Sequence, residues 1–151
     1  MGLGNTYPID TALQLEDGAV AIAATETNSG GEIDLGASNV HGAVVIQCSQ
    51  IDIANDDEVY HIELQGTNTT GFGTAADIVN LAGIDLGAHQ TTGATPGDSA
   101  VDSTTGVYYV PFCNDYNGTT YQFVRLRCTV AGTSPTITYT AFLSTAVGLG
   151  S

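Results

Sequence analysis

An all-β sandwich is the fold class this sequence predicts, on two observations. Apolar and polar residues alternate with a period of two through most apolar segments, and no segment carries an amphipathic helical pattern of three turns. The alternating segments are rich in Thr, Val, Ile and Tyr, which suit a pleated surface, while the gaps between them hold Gly, Asn, Asp, Ser and Thr.

The clearest alternation is Tyr60, Ile62 and Leu64 against His61, Glu63 and Gln65. Val44, Ile46 and Cys48 alternate with Val45, Gln47 and Ser49 in the same way. Val124, Leu126, Cys128 and Val130 share one face, and Phe123, Arg125, Arg127 and Thr129 the other. Ile137, Tyr139, Ala141 and Leu143 alternate with Thr136, Thr138, Thr140 and Phe142. The short turn Ala131-Gly132-Thr133-Ser134-Pro135 separates these last two runs, which are therefore expected to pair as a hairpin. Collecting such runs predicts about eight strands, near 18–25, 32–36, 42–50, 58–66, 76–86, 105–113, 119–131 and 135–143. Pro111 inside its run predicts an edge strand or a bulge.

Eight short strands with long loops suit a jelly roll in particular. The missing Trp and the lack of a suitable Cys pair speak against an immunoglobulin domain. With 151 residues the chain fits one domain and buries roughly 70% of its unfolded surface, so neither metal nor disulfide is required for folding. Residues 1–16 read as an extended N-terminal arm, and residues 17–151 as the sandwich. The segment from Gly87 to Ser103 is the longest loop candidate. Ile33-Asp34-Leu35-Gly36-Ala37 recurs as Ile84-Asp85-Leu86-Gly87-Ala88, which predicts two strands with the same end-turn chemistry rather than a solenoid.

Charge narrows the function. Sixteen Asp and Glu stand against two cations, Arg125 and Arg127, for a formal net charge of −14. Nucleic acid needs Lys or Arg to displace its counterions, so nucleic-acid binding is excluded, and anionic membranes are disfavoured for the same reason. No apolar stretch is long enough to span a bilayer. The N-terminal Met1-Gly2-Leu3-Gly4 lacks the basic and apolar regions of a secretory leader, so synthesis in a cell's cytoplasm is expected.

No enzyme is expected. A nucleophile elbow is absent, Gly97-Asp98-Ser99 is followed by Ala100 rather than glycine, and a chain without Lys has no Walker or Schiff-base chemistry. Cys48, Cys113 and Cys128 are widely spaced without CxxC, so Cys48 and Cys128 read as buried free thiols. His41, His61 and His89 are scattered and read as solvent-facing or pairing groups rather than zinc ligands. No cofactor is expected. Asp52, Asn55, Asp56, Asp57 and Glu58 form the densest oxygen cluster and are the one calcium candidate, although their spacing is not that of an EF-hand. Asn68-Thr69-Thr70 and Asn117-Gly118-Thr119 match glycosylation sequons by chance. Arg125 and Arg127 share one strand face and are expected to pair with carboxylates of a neighbouring strand or subunit.

The run Tyr121-Gln122-Phe123-Val124-Arg125-Leu126-Arg127-Cys128-Thr129-Val130, followed by Gly132-Thr133-Ser134-Pro135-Thr136-Ile137-Thr138, resembles the final hairpin of phage capsid cement, or decoration, proteins. Gly18-Ala19-Val20-Ala21-Ile22-Ala23-Ala24-Thr25, leading to Ile33-Asp34-Leu35-Gly36, is similar to that family's opening strands. The resemblance implies a jelly roll on the outer face of a tailed-phage head, bound between major capsid proteins and bracing the shell. It implies a symmetric homo-oligomer, with a trimer favoured over a dimer because shells offer many three-fold positions. The arm around Tyr7, Pro8 and Ile9, together with Arg125 and Arg127, supplies the interface candidates. A carbohydrate-binding or adhesin-like sandwich is the alternative, with Tyr108, Tyr116 and Phe123 as aromatics for stacking on sugars.

Overall fold

A computed structural model describes residues 11–27, 30–88 and 102–145. The six long strands are β4 (His41–Ile51), β5 (Val59–Thr67), β6 (Val79–Gly87), β7 (Gly106–Cys113), β10 (Phe123–Ala131) and β11 (Ile137–Thr145). Five short ones accompany them: β1 (Gln14–Glu16), β2 (Glu26–Thr27), β3 (Ile33–Asp34), β8 (Asp115–Tyr116) and β9 (Thr119–Thr120). Every pairing is antiparallel. The first sheet has the order β1-β11-β4-β7, and the second the order β2-β10-β5-β6 with β3 also on β10. No helix among the described residues is long and apolar enough to cross a membrane.

The period-two pattern explains how the layers close. Val44, Ile46 and Cys48 on β4 and Ile137, Tyr139, Ala141 and Leu143 on β11 point into the core. Tyr60, Ile62 and Leu64 on β5 and Val124, Leu126 and Cys128 on β10 meet them from the second sheet. Burying each aliphatic side chain of this size contributes about 1.5–3 kcal/mol. Val44, Ile46, Ile62, Leu64 and Leu126 close on one another without a water-sized void. Pro111 sits on β7, the edge of the first sheet, opposite Ala43, so no ladder bond on a central strand is lost.

Four features differ from the sequence expectation. First, β10 and β11 are not a hairpin. Segment 131–136 crosses the sandwich, because β10 has β5 on one side and β2 and β3 on the other, while β11 has β4 and β1. Neither strand has an edge free for the other. Second, the end of the expected arm belongs to the sandwich: β1 pairs with β11, and Leu15 is fully buried in the core. Third, 18–25 is not a strand. The Gly18 amide bonds the Glu16 carboxylate at 3.0 Å and the Ala19 amide bonds Asp17 at 2.8 Å, which turns the chain there. Only Ile22 returns to the sheet, exchanging backbone bonds of 2.8 and 3.0 Å with Ile137. Fourth, the start of the expected 119–131 strand is split off: Asn117 (φ 51°) and Gly118 (φ 77°) form the tight turn between β8 and β9, and β10 begins only at Phe123. The two similar pentapeptides end differently. The Gly36 amide closes on Asp34 at 2.8 Å, whereas Ala88 donates to the Glu58 carbonyl at 2.9 Å.

Tyr60 joins two loops at one end of the sandwich. Its hydroxyl lies 2.7 Å from the Asp52 carbonyl and 3.1 Å from the Thr136 carbonyl, and it accepts the Thr136 amide at 2.8 Å. Burial is the main reason that the phenol is pushed up to about 12 from its ordinary 10.0. The folded value lies above the unfolded one. The hydroxyl's contribution is therefore complete below pH 10 and is lost as pH rises towards 12. Tyr60→Phe is expected to cost about 1–3 kcal/mol at neutral pH, because three backbone groups lose their partner. It is also expected to flatten the fall in stability between pH 10 and 12. Urea denaturation across that range measures both, and an unchanged alkaline slope would refute the assignment.

Candidate functional site

Pleating places Arg125 and Arg127 on the outer face of the second sheet, opposite Gln65 and Glu63 of β5 respectively. Arg125 Nε donates to Gln65 Oε1 at 2.9 Å, and its guanidinium carbon lies 4.2 Å from the centroid of the Phe72 ring. Burial, and then Arg127 nearby, hold the Arg125 guanidinium below its ordinary range. Gln65 Nε2 donates to Glu63 Oε1 at 2.7 Å. Glu63 Oε2 is 3.2 Å from His61 Nε2, and His61 Nδ1 is 2.5 Å from Asp85 Oδ1. One polar chain thus runs from β10 across β5 to β6.

This corrects the expected arginine–carboxylate pairing within the chain. The carboxylate contacts of this face are made by the His61 ring and not by an arginine. Gln65 stands directly opposite Arg125 and supplies a neutral acceptor, while Phe72 takes the guanidinium face. Arg127 is exposed. Tyr7, Pro8 and Ile9, the other interface candidates, lie outside the described residues.

The acidic loop does not gather its oxygens around one point. Asp52 Oδ1 accepts the Ala54 amide at 3.0 Å. Glu58 is fully buried, and its Oε1 accepts both the amide and the side-chain Nδ2 of Asn55 at 2.9 Å. Asp57 reaches the other way, accepting the Thr133 amide at 2.9 Å on Oδ1 and the Thr133 hydroxyl at 2.8 Å on Oδ2. Those bonds hold the Asp57 carboxyl below its ordinary range. Asp56 is an exposed turn residue with φ 59°. Among the described residues no three His, Cys, Asp or Glu side chains are grouped to hold a metal. Asp57 and Glu58 of the calcium candidate thus form a structural clamp, their oxygens taken by amides and a hydroxyl.

The thiols divide by burial. Cys48 and Cys128 are buried, and burial chiefly pushes Cys128 up to about 12. Cys113 is half-buried, with Asn39 Oδ1 at 3.4 Å. His61 has carboxylates on both ring nitrogens, which leaves neither for a nucleophile. His41 is exposed at the start of β4, while His89 and Gly97-Asp98-Ser99 lie outside the described residues.

No family model matches the sequence, and no curated protein matches it. Glu58→Ala is expected to destabilise the fold by about 1–3 kcal/mol, because the Asn55 donors lose their acceptor beside a buried cavity. Calcium is expected not to restore the loss. Chemical denaturation with and without added calcium measures both, and rescue by calcium would overturn the clamp assignment.

Proposed function

We propose that this chain is a non-enzymatic, jelly-roll decoration protein of a phage head. It binds the outer capsid surface between major capsid proteins, as a homo-oligomer and as a trimer in preference to a dimer. Strand order carries the reading. β2 and β3 both pair with β10 and count as one interrupted strand. The sandwich strands are then β1, β2/β3, β4, β5, β6, β7, β10 and β11, eight in all. The first lies beside the eighth and the second beside the seventh, the nesting expected of two Greek keys in a jelly roll.

Two further features support a decorating role. Around Val44, Ile46, Ile62, Leu64 and Leu126 the layers close without a water-sized void, as suits a part that braces rather than moves. A formal charge of −14 keeps free copies soluble and favours a basic docking surface. Many weak symmetric contacts then add up through multivalency. Of the aromatics first considered for the sugar-stacking alternative, only Tyr116 is exposed. Tyr116 is 47% exposed, but Phe123 is 8% exposed and the Tyr108 hydroxyl is bonded to Thr104 at 2.6 Å.

The test is co-sedimentation with empty phage heads assembled from co-expressed major capsid protein, alongside light scattering of the free protein. A closed oligomer that sediments with the heads and raises their melting temperature is expected. Arg127→Gln is expected to lower occupancy without shifting the melting of the free protein, because Arg127 is exposed and forms no ion pair among the described residues. A monomer that stays in the supernatant would refute the proposal.

A further inference from the structure

A polar cleft lies at the end of β5. It is lined by Asn68, Thr69, Ala76, Asp77, Val79, Thr119 and Tyr121, and encloses about 300 Å³. That volume sits at the small end of the range for small-molecule sites.

Hydrogen bonds inside the chain fix both walls. Asn68 Nδ2 donates to the Thr120 carbonyl at 3.0 Å, and its Oδ1 accepts the Gln122 amide at 2.9 Å. The Asn68 side chain therefore ties the β5 exit to the segment carrying Thr119 and Tyr121. Tyr121 is held from behind by Asn114, which is fully buried. The Tyr121 amide donates to the Asn114 carbonyl at 2.8 Å, and Asn114 Nδ2 donates to the Tyr121 carbonyl at 3.0 Å. On the other wall the Asp77 amide donates to the Thr74 carbonyl at 3.0 Å.

The remaining lining groups are different in kind. The Asp77 carboxylate and the hydroxyls of Thr69, Thr119 and Tyr121 make no hydrogen bond or ion pair among the described residues. Ala76 and Val79 add apolar lining, and Tyr121 an aromatic residue. No cation lines the cleft, so a phosphate or carboxylate ligand has no partner there. A single carboxylate is too little for a hard cation. A neutral polyhydroxylated ring meets every feature. Its hydroxyls donate to Asp77, exchange bonds with the threonines, and its C–H face lies on apolar and aromatic surface.

We propose that this cleft is a saccharide subsite that takes one neutral hexose unit. The chemistry is independent of whether the molecule decorates a shell. Asn68 holds the cleft together and is not a glycan acceptor, since both ends of its amide are engaged.

The experiment is a nuclear magnetic resonance titration of the isotope-labelled full chain with the methyl glycosides of glucose, galactose, mannose and N-acetylglucosamine. Saturable amide shifts confined to residues 68–69, 75–79 and 119–121 are expected with at least one of them, at millimolar Kd. Asp77→Asn is expected to weaken that binding about tenfold, since it removes a charge-assisted acceptor. Thr119→Val is expected to weaken it as well. Both positions are exposed, so the variants keep the parent's melting temperature. Absence of saturable shifts with all four glycosides would overturn the proposal. So would shifts of equal affinity in the parent, Asp77→Asn and Thr119→Val.

Discussion

Glu58 has no solvent exposure, and a carboxylate in that position must find donors inside the chain or lose several kcal/mol to desolvation. It finds them in Asn55, whose own side chain also reaches the Thr133 carbonyl at 3.0 Å. The backbone around Glu58 is equally crowded. A Cβ on Gly87 would stand 2.2 Å from the Glu58 carbonyl, and one on Gly132 would stand 2.5 Å from that of Asp57. Only glycine lets the chain pass there. Three connections therefore meet at one point: β4 to β5, the exit of β6, and β10 to β11. Tyr60 ties the first of them to the third a second time. The crossing of β10 to β11 between sheets depends on this knot, because no ladder bond joins the two strands.

β4, β5, β10 and β11 were legible in the sequence because their apolar residues repeat every second position, as in Val124, Leu126 and Cys128. Pro111 located an edge for a backbone reason that holds in any sheet. Partner choice was not legible. Alternation says which face is buried, but an apolar face can be buried beside a neighbour in one sheet or across from it in the other. The Ala131–Pro135 turn satisfies both, and contacts from the distant Asp57 and Asn55 decide between them. β1 escaped notice because three residues carry no period and Glu16 is buried in one of them. The acidic cluster was visible as composition, but its geometry depends on Thr133, some 75 positions away in the chain. The cleft was invisible for the same reason, since it is assembled from residues near 68, 77 and 120.

The outer face of the second sheet gathers the few basic side chains of a very acidic molecule. Arg125, Arg127 and His61 all project there. Arg125 is committed to Gln65 and Phe72, and His61 to Asp85 and Glu63. Such a network strengthens its members by mutual polarisation and fixes the rotamers of a face that apolar packing does not reach. It also lowers negative potential locally.

The sheet edges complete the argument about how copies of this fold can associate. A long flat edge invites strand addition, and each edge here is blunted. β1 is three residues long, and β2 and β3 are two each. β7 carries Pro111, which has no amide to donate. β6 is nine residues long, but its ladder slips between Leu64 and Gln65, and it carries Gly83 and the charged Asp85. Association by continuing a sheet is disfavoured at every edge. Any association of this fold would then come from faces and loops, where side chains rather than backbone ladders set the partner. Such contacts close between defined patches and do not propagate as open-ended strand pairing.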